Sequence, residues 1–136
     1  MDLFAGSGQL GIEALSRGAA SATFVDQSDA ACKLIRENLR RTKLEKDGRV
    51  IRSDYLDYLK RCKEKFNIIL LDPPYAEVFL ENSLKMIAEI DILQTGGIIV
   101  AERPAGKEIP AEFTGFTRSK DHKYGIVLLT VYRKNE

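Results

Sequence analysis

The chain has no tryptophan, one histidine, two cysteines and four prolines in 136 residues. Cys32 and Cys62 are too few for a disulfide framework and lack metal-ligand spacing, so a hydrophobic core must hold the fold and no metal is expected. A reducing cytoplasm is the expected setting. A strong charge of either sign is also missing, because 21 basic residues against 20 acidic ones leave +1. That balance argues against holding nucleic acid or a membrane by bulk charge. The longest apolar stretches, such as Ile68–Leu71 and Ile98–Ala101, fall far short of the roughly 18 residues a membrane span needs. Met1-Asp2-Leu3-Phe4 puts no basic region ahead of an apolar one, so no secretory signal is expected. With no internal repeat, low-complexity tract or Pro/Ser-rich linker, residues 1–136 read as a single domain. The composition that is present, 44% hydrophobic and 30% charged, is globular and excludes disorder and fibrous repeats.

Short β-rich runs alternate with helical patterns. Ala22–Val25, Arg49–Arg52, Phe66–Leu71 and Gly97–Ala101 read as strands. Gln9–Arg17, Asp29–Thr42, Tyr55–Cys62 and Val78–Ile90 read as helices between them. In the second helix Ala31, Leu34, Ile35 and Leu39 recur at helical spacing, and Ser28 offers an N-cap. Such alternation implies βαβ units and a parallel sheet with right-handed crossovers. The C-terminal third departs from it. Phe113–His122 and Ile126–Arg133 are both strand-like with only Lys123-Tyr124-Gly125 between them, which predicts an antiparallel hairpin. The expected fold is α/β: a doubly wound, mostly parallel, Rossmann-like sheet that ends in this hairpin.

Four constellations carry chemistry. Asp2-Leu3-Phe4-Ala5-Gly6-Ser7-Gly8-Gln9-Leu10-Gly11 runs from a strand end through a glycine turn into a helix. Such a turn lets backbone N–H groups approach a ligand, and the helix N-terminus favours an anionic group. Gly6-x-Gly8-x-x-Gly11 matches the dinucleotide fingerprint, though a tight turn without a ligand satisfies the same letters. Asp26 closes the next strand twenty positions after Gly6, where a carboxylate can accept both hydroxyl protons of a ribose. It can equally be a helix N-terminal charge beside Ser28. Asp54, after the third strand, can accept from an adenine amine or cap the helix that starts at Tyr55.

The fourth constellation, Asp72-Pro73-Pro74-Tyr75, follows the apolar run ending at Leu71. Two prolines donate no N–H and restrict the backbone, so the tetrapeptide is a rigid ledge presenting carbonyls at the carboxyl end of a strand. The exocyclic amine of a base is a poor nucleophile because its lone pair is delocalised into the ring. Two acceptors, the Asp72 carboxylate and the Pro73 carbonyl, can hold both amine hydrogens and steer that lone pair. Tyr75 can stack on a flipped base.

Asp2 to Gly11 resembles the cofactor loop of S-adenosylmethionine-dependent methyltransferases, and Asp72 to Tyr75 resembles the motif of their amino-group subclass. With Gly11-Ile12-Glu13-Ala14 and Arg17-Gly18-Ala19 added, the joint pattern resembles the bacterial 16S rRNA guanine-N2 methyltransferases of the RsmD family over essentially the whole chain. The resemblance implies a seven-stranded methyltransferase sheet with S-adenosyl-L-methionine as cofactor. Gly6, Ser7 and Gly8 would line its methionine end, Asp26 its ribose and Asp54 its adenine, with Asp2, Gln27 and Tyr55 also at the cofactor. Asp72, Pro73 and Tyr75 would handle the target guanine. The implied partner is small-subunit rRNA within an assembled ribosomal particle. Family members also carry a segment with basic residues and a helix ahead of the glycine loop, whereas this sequence begins at the last turn of the first strand, so that segment is expected to be lacking.

An adenine-N6 methyltransferase acting on DNA or RNA, an NAD-dependent oxidoreductase and a non-catalytic RNA-binding remnant stay open as alternatives. The oxidoreductase accounts for Gly6–Gly11 and Asp26 but not for Asp72–Tyr75. His122 and the run Lys60–Lys65 read as solvated positions. Arg118, Lys120, Lys123 and Arg133 on the hairpin can touch phosphates, a modest grip in a nearly neutral chain.

Overall fold

Helices form where apolar residues recur every three or four positions, and strands where β-branched runs fall between glycine, asparagine or aspartate punctuation. The computed structural model describes residues 1–74, 77–106 and 108–136 in two compact units, residues 1–58 and 59–136. In chain order the elements are α1 (Gln9–Ser16), β1 (Ala22–Asp26), α2 (Asp29–Arg41), β2 (Gly48–Arg52), α3 (Tyr55–Arg61) and β3 (Phe66–Leu71). There follow α4 (Glu77–Ile90), β4 (Leu93–Pro104), β5 (Glu112–Phe113), β6 (Phe116–Tyr124) and β7 (Val127–Lys134). Among the described residues, no helix is long and apolar enough to cross a membrane.

In the first unit β1 and β2 pair in parallel, from Ala22↔Gly48 to Asp26↔Arg52. The segment before the glycine turn forms one parallel bridge, Asp2↔Phe24, rather than a full strand, because the chain already turns at Leu3-Phe4. Phe24, Leu15, Ile35, Leu39 and Ala5 make its core. Ser28 caps α2 as expected, its Oγ accepting from the Ala31 N–H at 3.2 Å. The buried stripe of that helix is Cys32, Ile35 and Leu39, while Leu34, expected to face inward, is 42% exposed. Positions 32 and 39 lie three and four residues from Ile35 on one helical face, and Leu34 is rotated about 100° away from it. Burial also pushes the Cys32 thiol above its ordinary pKa.

The second unit holds a five-stranded sheet ordered β3-β4-β7-β6-β5. β3 and β4 are parallel, with Ile69↔Ile99 and Leu71↔Ala101, and the remaining pairs are antiparallel. The expected hairpin is present as β6 and β7, with Tyr124↔Val127 its last pair. Its first strand is shorter than expected, because a turn through Gly115 at φ +95° separates the two-residue β5 from β6. Antiparallel pairing in this unit therefore exceeds the single terminal hairpin anticipated, as β7 also runs along β4. β4 is longer than expected at both ends: Gly96, at φ +77°, lies in an irregular stretch between Phe66↔Leu93 and Ile68↔Ile98, and β7 extends the pairing to Pro104.

Phe113, Phe116 and Tyr132 form an aromatic cluster with ring centroids 5.2–5.7 Å apart. The Tyr132 hydroxyl donates to the Pro110 carbonyl at 2.7 Å, and burial pushes its pKa up to about 12. Arg103, 5% exposed, is held by Thr130 Oγ1 at 2.9 Å and Asp121 Oδ2 at 3.3 Å.

Gly11 meets a packing demand. A Cβ at this position would lie 2.3 Å from Phe24 Cε1, inside van der Waals contact, so α1 approaches β1 this closely only through glycine. Gly11→Ala should therefore lower the unfolding free energy by about 1–3 kcal/mol through overpacking. A urea midpoint equal to the parent's would contradict this reading of the approach.

Candidate active site

The glycine loop is built from backbone that an L side chain resists. Gly6 at φ +58° and Gly8 at φ +82° occupy the left-handed region. Gly8 is the N-cap of α1, and no side chain caps that terminus. The Gly8 N–H donates to the Ala5 carbonyl at 2.7 Å and the Ala5 N–H to Val25 O at 3.0 Å, so the turn hangs directly from β1.

Asp26 holds this loop. Its Oδ2 accepts from the Gly6 N–H at 2.9 Å and its Oδ1 from the Ser28 N–H at 2.9 Å. A carboxylate has about four lone-pair sites, so each oxygen keeps capacity for a hydroxyl donor. The helix-terminal and ligand-facing readings of Asp26 are thus compatible. A Cβ built on Gly6 would meet nothing within 4 Å, so the loop borders open space. Asn38 on α2 donates from Nδ2 to the Ser7 carbonyl at 2.9 Å, a second clamp on the loop.

The other expected cofactor residues fall into three groups. Asp2 is 2% exposed, and its Oδ2 accepts from the Gly11 N–H at 3.3 Å, so it supports the loop and the start of α1 from within. Gln27 is exposed beyond β1, its carbonyl accepting from Arg52 Nε at 3.3 Å. Asp54 caps α3, with Oδ2 accepting from Leu56 N–H at 3.0 Å and Asp57 N–H at 3.2 Å, which leaves Oδ1 outside the cap. Tyr55 is buried, its ring 5.1 Å from that of Phe4.

In the second unit Asp72 and Pro73 stand immediately beyond the carboxyl end of β3. Pairing with β4 runs as far as Leu71↔Ala101, and Pro73 and Pro74 have no N–H with which to extend it. Asp72 is exposed and Pro73 half-buried. Tyr75 lies outside the described residues.

Two polar residues at these sites are not anticipated by the sequence motifs. Asn38 is 31 positions from Ser7, and its clamp depends on how α2 packs. Glu102, one residue past Ala101, is hydrogen-bonded to Asp72, and its carboxyl is held above the ordinary range first by that bond, then by burial and by the Asp72 charge. A usable signal is the interruption of the apolar strand Ile98–Ala101 by Glu102.

The helix-forming glycine loop, the acidic strand end after it and the proline ledge at another strand end define an α/β protein of methyltransferase type. A solved structure of a conserved hypothetical protein from Streptococcus pyogenes superposes with a TM-score of 0.92 at 31% identity, covering 98% of this chain and 84% of that one. The chain belongs to the family described as Conserved hypothetical protein 95, the RsmD methyltransferase family, whose model matches residues 1–133. It is 38% identical over 137 residues to YlbH of Bacillus subtilis, covering 98% of this chain and 74% of that protein. It is 31% identical over 136 residues to Ribosomal RNA small subunit methyltransferase D of Haemophilus influenzae, covering 98% and 70%. This membership makes the chain a methyltransferase and sets aside the oxidoreductase reading.

If Asp26 anchors the glycine loop, Asp26→Ala should speed amide exchange at Gly6 and Ser28 by about tenfold or more, the worth of one hydrogen bond to a charged group. Hydrogen-exchange NMR would read it directly, and unchanged exchange at Gly6 would show that the loop holds itself.

Proposed function

We propose that this protein transfers a methyl group from S-adenosylmethionine to the exocyclic N2 amine of a guanine in small-subunit rRNA. The observation carrying this reading is the Asp72-Pro73 ledge at the end of β3, in a chain whose family includes a protein named Ribosomal RNA small subunit methyltransferase D.

The residues of the first unit fit the cofactor. Gly6 leaves open space beside the loop, Asp26 has acceptor capacity for ribose hydroxyls, and Asp54 keeps Oδ1 for an adenine amine. Ser7 and Gly8 line the methionine end, and the positive end of the α1 dipole suits its carboxylate. Gln27 borders the ribose side, while Asp2 and Tyr55 act from behind, as supports of the loop and of α3. When bound, the cofactor supplies an electrophilic methyl group on a sulfonium.

In the second unit the Asp72 carboxylate accepts one hydrogen of the guanine amine and the Pro73 carbonyl the other. This turns the nitrogen lone pair out of conjugation and aims it. Tyr75 stacks on the extruded base. The surplus proton of the methylated amine leaves to water, so no general base of unusual pKa is required.

Two measurements test the chemistry together. S-adenosylhomocysteine at 100 times Kd should stabilise the fold by about 2.7 kcal/mol. Asp72→Ala should keep that stabilisation while kcat on unmethylated small subunits falls by a factor on the order of 10²–10³. A thermal shift with NADH and none with S-adenosylhomocysteine would overturn the reading, as would parental turnover in Asp72→Ala.

The substrate side draws support from charge placement. Residues 116–134 carry Arg118, Lys120, Lys123, Arg133 and Lys134 against Asp121 alone, a balance of +4 in a chain that nets +1. Lys134 is committed to Asp91, whereas Lys120, Lys123 and Arg133 are exposed along the hairpin. Lys120→Ala with Lys123→Ala should flatten the dependence of log affinity for rRNA on log salt by about 0.7–0.9 for each phosphate no longer neutralised. An unchanged slope would place the phosphate grip elsewhere.

A further inference from the structure

The hairpin of β6 and β7 closes with the pair Tyr124↔Val127, leaving Gly125-Ile126 as a two-residue loop. Gly125, at φ +62°, supplies the left-handed first position that such a loop needs. The second position asks for nothing apolar, and turn chemistry there favours asparagine, aspartate or serine. It holds Ile126, 82% exposed, beside Tyr124 at 63%. These are the two most exposed large hydrophobic side chains among the described residues, and only Gly125 separates them. Neither belongs to the core, so the fold does not account for their identity.

The tip is braced. The Ala105 N–H donates to the Ile126 carbonyl at 2.7 Å, and Pro104 pairs with Val127, so the end of β4 holds the turn. β4 also runs parallel to β3, and Leu71 pairs with Ala101 just before Asp72. Following β4 from Ala101 to Ala105 leads to the turn, so tip and ledge stand at one end of the same sheet. Two strand spacings across and a few residues of rise along separate them by on the order of 15 Å. That is the reach of a few nucleotides. Lys120 and Lys123 are exposed behind the tip, while the one acid of the hairpin, Asp121, is taken up by Thr130 and Arg103.

We propose that the hairpin tip is a base-contacting element for the RNA beside the target guanine: Tyr124 stacks on an unpaired base, Ile126 wedges against its neighbour, and Lys120 and Lys123 hold the flanking phosphates. The proposal rests on the reading of the Asp72 ledge as the place of the target amine. Nucleic acid is the occupant because shape and charge agree: an aromatic face and an aliphatic wedge gain from base surface, and the lysines from phosphate. A base drawn out of its stack leaves its neighbours with uncovered faces. A braced apolar tip at this distance covers such a face and keeps the drawn base from returning.

The test measures binding of unmethylated small subunits by Tyr124→Ala, Tyr124→Phe and Ile126→Ser beside the parent. Tyr124→Ala should raise Kd by a factor of about 10–10², the worth of one stacked base, while S-adenosylhomocysteine still binds as it does to the parent. Tyr124→Phe, which keeps the ring, should restore most of that affinity. Ile126→Ser suits the turn, so it should leave the urea midpoint in place and weaken binding several-fold. A benzophenone amino acid introduced at position 126 should crosslink to rRNA on irradiation. Crosslinks to ribosomal protein alone, or parental affinity in Tyr124→Ala, would overturn the inference, and a collapse of turnover in Asp72→Ala would then leave the ledge standing. Parental turnover in Asp72→Ala would remove the ledge reading and this inference with it.

Discussion

A glycine turn that presents N–H groups to a ligand is unstable on its own, since each glycine left unrestrained regains the conformational freedom that a binding site must suppress. In this protein the restraint centres on one carboxylate. Asp26 receives the Gly6 N–H on one oxygen and the Ser28 N–H on the other, joining the loop before α1 to the turn before α2. Asp2 secures the far side of the same loop through the Gly11 N–H, and Asn38 secures its crest through the Ser7 carbonyl. The helix α2 that carries Asn38 is in turn capped by Ser28. Loop, strand end and two helix starts thus form one hydrogen-bonded assembly, and the acidic residue is its common node.

The same economy explains why so much is legible in the sequence. α1, α2, α3 and α4 lie within a residue of where apolar spacing puts them, because in each case a glycine, serine, aspartate or proline marks the start. Asp26 and Asp72 are recognisable since an acidic residue closing or directly following an apolar strand has few structural uses, and Asp54 stands out as the residue just before a helical pattern. The departures share a physical cause. Hydrophobicity alone points Leu34 inward, but which of two nearby apolar positions faces the core depends on where the helix lies on its sheet, and Cys32 takes the place. Asn38 and Glu102 act across 31 and 30 positions of chain, and no local pattern carries that information. The limits of β4 and β6 differ from expectation because antiparallel neighbours, not their own sequences, determine where pairing stops.

Asp2 and Asp54 show how a residue of such a motif can commit carboxylate oxygen to backbone support. Asp2 is buried beneath the loop, and Asp54 spends one oxygen on the first turn of α3. Their identity in the motif is explained first by backbone support. Asp72 is different in kind: it is exposed at the point where the prolines end the strand, and it bonds to another acid.

β4 is bonded to β3 on one edge and to β7 on the other, with Ile98 to Ala101 engaged on both at once. To expose those amides the molecule must unzip two ladders together, which places them among the most protected of the second unit. The pair formed by Asp72 and Glu102 is rooted in that segment. The Gly6 N–H of the glycine loop is tied instead by one bond to the Asp26 side chain. The glycine loop and the Asp72 ledge therefore rest on backbones of unequal rigidity: one can open locally, and the other is anchored to a strand that moves only if the sheet itself comes apart.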